Sequence, residues 1–168
     1  MPQSNAFKFA NNILTNGGYD AADLVGAAGG GENTPNFFAR RSANQSLPNN
    51  AGTIIIFDTE IYDTHSAYNT TNGKFTVPSG QTGKYFVAVN LRFDNAVSSG
   101  RAPIDIKLNG AGSNIAFEWN VSTYGTIGGS AVMSLTAGDY LEIEFYHATG
   151  GAINARIESF FTAFKLIE

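Results

Sequence analysis

From Phe37 to the C-terminus, apolar and polar residues alternate with a period of two. Ile104, Ile106 and Leu108 are interleaved with Asp105, Lys107 and Asn109, and Leu141, Ile143 and Phe145 with Glu142 and Glu144. Successive side chains of a strand point to opposite faces, so each stretch predicts a β-strand with one dry and one wet face. Asn72-Gly73, Ser79-Gly80, Asn109-Gly110, Gly128-Gly129, Ala137-Gly138-Asp139 and Gly150-Gly151 supply turn chemistry between them. No stretch keeps a helical period. Many short strands at this spacing predict an all-β sandwich or barrel.

Two stretches break the alternation. Tyr85-Phe86-Val87-Ala88-Val89 and the C-terminal Phe160-Phe161-Thr162-Ala163-Phe164-Lys165-Leu166-Ile167 are apolar on both faces. A sandwich strand that is dry outside as well as inside needs a cover, either a segment of its own chain or another subunit. The subunit is the favoured cover, with Tyr85, Val87, Phe160, Phe161 and Phe164 as the expected interface residues. Phe160 and Phe164 share one strand face and Phe161 lies on the other, so the three should divide between core and interface.

Residues 1–31 follow a different pattern. Phe7, Phe9, Ile13, Leu14 and Leu24 precede the run Gly26-Ala27-Ala28-Gly29-Gly30-Gly31, which reads as a flexible linker. The segment before it is either a solvated tail or a docking arm. A tail has no need of those five apolar side chains, and they are the expected anchoring residues of an arm. The domain division is therefore 1–31 for arm and linker and 32–168 for the sandwich.

Composition narrows the function. Among 168 residues, 43% are hydrophobic and only 14% are charged, the latter below the roughly 25% of an average globular protein. The net charge is −4, and Lys and Arg are scattered thinly along the chain, so nucleic acid is not an expected partner. No apolar run approaches a membrane-spanning length, and the first residues have no secretory-signal pattern. Cysteine is absent, which excludes a disulfide framework and a thiolate metal site.

Several segments in order carry a family resemblance. They are Phe37-Phe38-Ala39-Arg40-Arg41, Ile56-Phe57-Asp58-Thr59-Glu60-Ile61-Tyr62-Asp63, Ala67-Tyr68-Asn69, Asn72-Gly73-Lys74-Phe75-Thr76-Val77-Pro78 and Gly83-Lys84-Tyr85-Phe86-Val87. Gly128-Gly129-Ser130-Ala131-Val132, Gly138-Asp139-Tyr140-Leu141 and Phe160-Phe161-Thr162-Ala163-Phe164 continue the match. Together, Phe37 to Glu168 resembles the C1q-like branch of the tumour-necrosis-factor-like jelly rolls. The resemblance implies a jelly roll that assembles as a homotrimer. The N-terminal block carries no collagen-like repeat. With Phe7-Lys8-Phe9-Ala10-Asn11-Asn12-Ile13-Leu14 and Gly18-Tyr19-Asp20-Ala21-Ala22-Asp23-Leu24 it resembles leaders on small virion proteins of marine bacteriophages. That likeness implies a virion location, assembly in the host cytoplasm, and capsid or tail proteins as partners of the arm.

Residues with chemistry give little support to an enzyme. His65 and His147 stand in no zinc spacing, and no Gly-x-Ser-x-Gly elbow is present. Glu142 and Glu144 share a strand face and read as the solvated side of an amphipathic strand. Asp58, Asp63, Asp94 and Asp105 are dispersed rather than gathered into a calcium loop. No catalytic residue, cofactor or metal is expected. Trp119 and Tyr124 are the candidates for contact with a ligand such as a host surface glycan, against the bland reading of a core or interface tryptophan. The expectation is a non-enzymatic phage structural protein, either a capsid decoration or short head fibre, with the receptor- or glycan-binding tip of a tail fibre as the alternative.

Overall fold

The computed structural model describes residues 32–94, 101–111, 115–118 and 125–167, and these contain strands and no helix. In chain order the strands are β1 (Asn36–Arg40), β2 (Gln45–Leu47), β3 (Thr53–Ile54), β4 (Thr59–Asp63), β5 (Tyr68–Asn69), β6 (Lys74–Thr76) and β7 (Gly83–Arg92). They continue with β8 (Pro103–Leu108), β9 (Ile115–Glu118), β10 (Thr126–Leu135), β11 (Tyr140–Phe145), β12 (Ile153–Ala155) and β13 (Phe160–Lys165). One sheet has the order β10-β7-β13-β1-β4. The other runs β5-β6-β11-β8-β9, with β3 added on β11, and β2 pairs with β12 in a small third sheet. The named pairings are antiparallel. The all-β architecture is the one that the alternation predicts, and its two main sheets form the jelly roll that the resemblance implies.

Alternation fixes which side chains fill the space between the sheets. From the five-stranded sheet, Phe37, Tyr85, Val87, Leu91 and Phe161 are fully buried. From the opposite sheet, Phe75, Ile104, Ile106, Leu141 and Phe145 are fully buried. Phe37 lies at the centre, with ring centroids 4.8 Å from Tyr68, 4.9 Å from Phe75 and 4.9 Å from Phe161. Phe75 and Tyr85, 5.8 Å apart, bridge the two sheets.

The turns follow their chemistry at Asn109-Gly110, where both residues have positive φ (55° and 70°), as a tight primed turn requires. Gly128-Gly129 departs from expectation. These residues lie inside β10, in unbroken register with Asn90 and Val89 of β7. They are glycines because of close approach: a Cβ on Gly129 would sit 2.2 Å from the Phe117 ring, and one on Gly128 would sit 2.5 Å from the Val89 carbonyl oxygen.

The outer side of the second sheet also departs from expectation. Asp105 and Glu142 are buried, with 8% and 7% exposure, rather than solvated. Lysine side chains cover this side. The Lys74 ammonium lies 3.8 Å from Glu142 and 3.9 Å from the Tyr140 ring centroid, and Lys107 reaches Glu144 at 3.1 Å.

The chain starts and finishes its sandwich at one end. Asn36 is opposite Phe164, and the Lys165 amide donates to the Pro35 carbonyl at 3.0 Å. The strand ends at Arg40, Arg92 and Phe160 define the opposite end, where Arg40 faces Phe160 and Arg92 faces Thr126.

Candidate interaction surface

The outer face of the five-stranded sheet presents the side chains that alternate with the core set. Across neighbouring strands, one row runs Val132, Phe86, Phe164 and Asn36. The next runs Ser130, Ala88, Thr162, Phe38 and Tyr62, and a third runs Gly128, Asn90, Phe160, Arg40 and Thr59. Aromatic side chains meet along these rows. Phe38 lies 5.4 Å from Phe160 and 6.1 Å from Tyr62, and Phe86 lies 5.1 Å from Phe164. Phe38, Phe86, Phe160 and Phe164 are only half-buried, while Tyr62 and Val132 keep 50% and 57% of their surface exposed.

Two polar groups of this face have partners, while Arg40 in its third row is exposed. The Thr162 hydroxyl donates to the Phe37 carbonyl at 2.6 Å, which leaves its methyl group with the aromatic rows. Arg92 pairs with Glu158 at 3.5 Å. The face is therefore an apolar surface of six large side chains spread over five strands. Isolated exposed apolar residues are ordinary, but a contiguous set of this kind marks an association surface.

The expected interface residues fall on two sides of the sheet. Tyr85, Val87 and Phe161 are fully buried in the core of their own chain, so they offer no surface to a second copy. Phe160 and Phe164 are on the outer face, as the alternation within β13 requires. Phe38, Tyr62, Phe86 and Val132 belong to the same face but were not singled out from sequence. Their signal was the two-residue offset from Phe160 and Phe164 through strand pairing, which only the register reveals. The anchoring residues Phe7, Phe9, Ile13, Leu14 and Leu24 and the ligand candidates Trp119 and Tyr124 lie outside the described residues.

The histidines have structural positions. His147 is fully buried; its Nε2 donates to the Leu47 carbonyl at 2.9 Å and its Nδ1 meets the Thr149 hydroxyl at 3.0 Å. His65 is exposed, with Nδ1 3.0 Å from the Thr64 hydroxyl. Among the described residues no three His, Cys, Asp or Glu side chains gather as a metal site.

Buried polar groups brace the chain where it leaves β1. Arg41 Nε donates to the Ala43 carbonyl at 3.0 Å, and Nη1 donates to Gln45 Oε1 at 2.7 Å and to the Ile56 carbonyl. Burial lowers the pKa of this guanidinium, and nearby Asp58 opposes the shift. Asp58 accepts from the Ser42 amide at 2.6 Å and from its hydroxyl at 2.7 Å. Burial pushes the Tyr85 phenol up to about 12, and its hydroxyl donates to the Gln81 carbonyl at 2.6 Å. Each of these groups is consumed in holding the fold, and none forms a nucleophile and base pair.

The C1q domain family matches residues 36–166, almost the whole sandwich. The chain belongs to the C1q domain family. Solved structures repeat the architecture. The globular domain of zebrafish complement 1qA is 19% identical with a TM-score of 0.60, covering 79% of this chain and 98% of that one. Murine APRIL is 13% identical with a TM-score of 0.59, covering 78% and 98%. Vertex protein P5 of phage PRD1 is 13% identical with a TM-score of 0.57, covering 78% and 94%. At these identities the likeness is one of fold. No curated protein matches the chain in sequence. The matched family and these structures indicate no enzymatic family. Among the described residues no helix is long and apolar enough to cross a membrane.

Proposed function

We propose that this C1q-domain chain is a non-enzymatic structural protein of a bacteriophage virion. In this reading it is a homotrimeric capsid decoration or short head fibre, anchored by residues 1–31. The observation that carries the trimer is the aromatic outer face of the β10-β7-β13-β1-β4 sheet. Closed cyclic symmetry buries such a face on each of three copies at once. Tyr62, Phe38, Phe86, Phe160, Phe164 and Val132 form the contact.

The virion placement is supported by the leader-like N-terminal block and by the fold shared with a phage vertex protein. Polarity adds to it. The sandwich begins at Asn36 and finishes at Lys165 on one end, so an arm preceding Asn36 ties down that end and leaves the Arg40 end to be displayed. Three arms on one trimer bind together, and avidity then exceeds one arm's affinity by roughly 10²–10⁴-fold.

The test is deletion of residues 1–25. The shortened chain should remain a folded trimer and no longer co-purify with phage particles. Full occupancy of the truncated protein on virions would place the anchor in the jelly roll and refute the arm. A second reading, a receptor- or glycan-binding tip, is favoured by the distribution of arginines described next.

A further inference from the structure

The five arginines stand at 40, 41, 92, 101 and 156, yet the topology gathers all of them at one end of the sandwich. Arg40 closes β1 and Arg92 closes β7. The Arg156 amide donates to the Arg92 carbonyl at 2.8 Å, and Ala148 donates to the Arg101 carbonyl at 3.1 Å just ahead of β8. Phe93, next to Arg92, stacks on Phe145 of the second sheet at 4.7 Å, so the two sheets share this end. It is the end opposite Asn36. Among the lysines, Lys84 and Lys165 lie at the Asn36 end, and Lys74 and Lys107 lie on the outer side of the second sheet.

A cleft of about 570 Å³ opens here, lined by Arg40, Ser42, Thr59, Ile157, Glu158 and Phe160, with Arg41 beside them. Most of its charges are already committed. Arg41 serves backbone and Gln45 acceptors. Ser42 is held by Asp58. Glu158 accepts from Arg156 at 3.2 Å and lies 3.5 Å from Arg92. Arg40 is different: it is exposed and has no hydrogen-bond or ion-pair partner among the described residues. The lining of the cleft itself carries two guanidinium groups (40 and 41) and one carboxylate (158), a positive balance on a chain of net charge −4.

We infer that this cleft binds a carboxylate-bearing saccharide, with Arg40 as the carboxylate receptor. A free guanidinium presents a planar fork that matches a carboxylate with two parallel hydrogen bonds. Ile157, which keeps 46% of its surface exposed and stands outside the trimer contact, supplies an apolar wall for the C–H face of a pyranose. The Thr59 hydroxyl and the Glu158 carboxylate, already fixed by two arginines, supply polar partners for ring hydroxyls. Concave sites of this kind combine apolar walls with a few fixed polar groups. The inference rests on the reading that the end opposite Asn36 is displayed outward.

The test uses the full chain in titrations with N-acetylneuraminic acid, galactose and inorganic phosphate, followed by heat or by ligand-observed NMR. The acidic sugar should bind with a dissociation constant on the order of 1 mM or tighter, and galactose should not bind. Arg40→Gln should weaken the acidic sugar by at least about 10-fold, the scale of one lost charge-assisted bond. Its melting temperature should be unchanged because the side chain is exposed. Ile157→Asp, a second surface change, should abolish binding by repulsion. No binding of the acidic sugar, or binding unaffected by Arg40→Gln, overturns the inference. Phosphate binding as tightly as the sugar reduces the cleft to a simple anion site and also overturns it. Sedimentation of the same samples separates this outcome from failure of the trimer, since either result stands without the other.

Discussion

Phe160 and Phe161 are adjacent in β13 and point in opposite directions, so truncating each tests what each side of the sheet does. Phe161 is fully buried, with its ring 4.9 Å from Phe37, 5.8 Å from Phe57 and 6.0 Å from Tyr68. Phe161→Ala opens a cavity among rings held by both sheets and should cost about 3–5 kcal/mol. Against a domain stability of about 5–15 kcal/mol, that leaves a marginal fold at any protein concentration. Phe160 is half-buried, and in a single copy its aromatic contact is Phe38 at 5.4 Å. Losing that pair costs a lone protomer only about 0.5–1.5 kcal/mol. In the trimer, loss of an aromatic anchor costs about 2 kcal/mol per copy, hence about 6 kcal/mol per trimer and about four decades in the three-body dissociation constant. The assay is thermal unfolding of both variants over a wide concentration range, with sedimentation velocity at each concentration. Phe161→Ala should melt early at all concentrations. Phe160→Ala should remain folded but fall apart to monomers as it is diluted. The reasoning is refuted if Phe160→Ala keeps the wild-type assembly at every concentration, or if the two variants behave alike.

Gly129→Ala should destabilise the fold by about 1–3 kcal/mol, because the new methyl group meets the Phe117 ring at 2.2 Å; urea unfolding measures this, and Phe117→Ala in the same chain should recover part of the loss. Asp139 accepts from the Asn109 side chain at 2.8 Å and from the Thr136 amide and hydroxyl, and these bonds hold its carboxyl below its ordinary pKa. A carboxyl depressed in the fold gives stability above its unfolded pKa of about 4, which is lost as pH falls through the folded value. Melting curves below about pH 4 should therefore fall less steeply for Asp139→Asn than for the wild type.

The all-β class was readable because the alternation in Pro103–Leu108 and Tyr140–Phe145 gives each strand an apolar face to bury. What sequence could not supply was which face of a doubly apolar strand is the inner one. Tyr85 and Val87 share one face of β7 and Phe86 the other, and only pairing with Phe164 and Val132 settles that Phe86 is outside. Gly128-Gly129 misled for a related reason: a glycine required by close approach of a neighbour has the same letter as one required by a turn. Asp105 and Glu142 read as solvated because the lysines that cover this side of the sheet come from a neighbouring strand and from two residues further along β8. The arginine end was invisible in a chain whose cations are spread along its length. Four separate strand ends had to be brought together before Arg40 stood out as the exposed cation without a partner among the described residues.

The central claim is that the aromatic outer face of the five-stranded sheet joins three copies of this chain. Sedimentation equilibrium of the full-length protein at micromolar concentration, without added ligand or metal, tests it most directly. The account predicts a single species of three times the chain mass for the wild type and dissociation when Phe86→Asp places a charge on that face beside Phe164. A wild-type protein that sediments as a monomer, or a trimer untouched by Phe86→Asp, would contradict it.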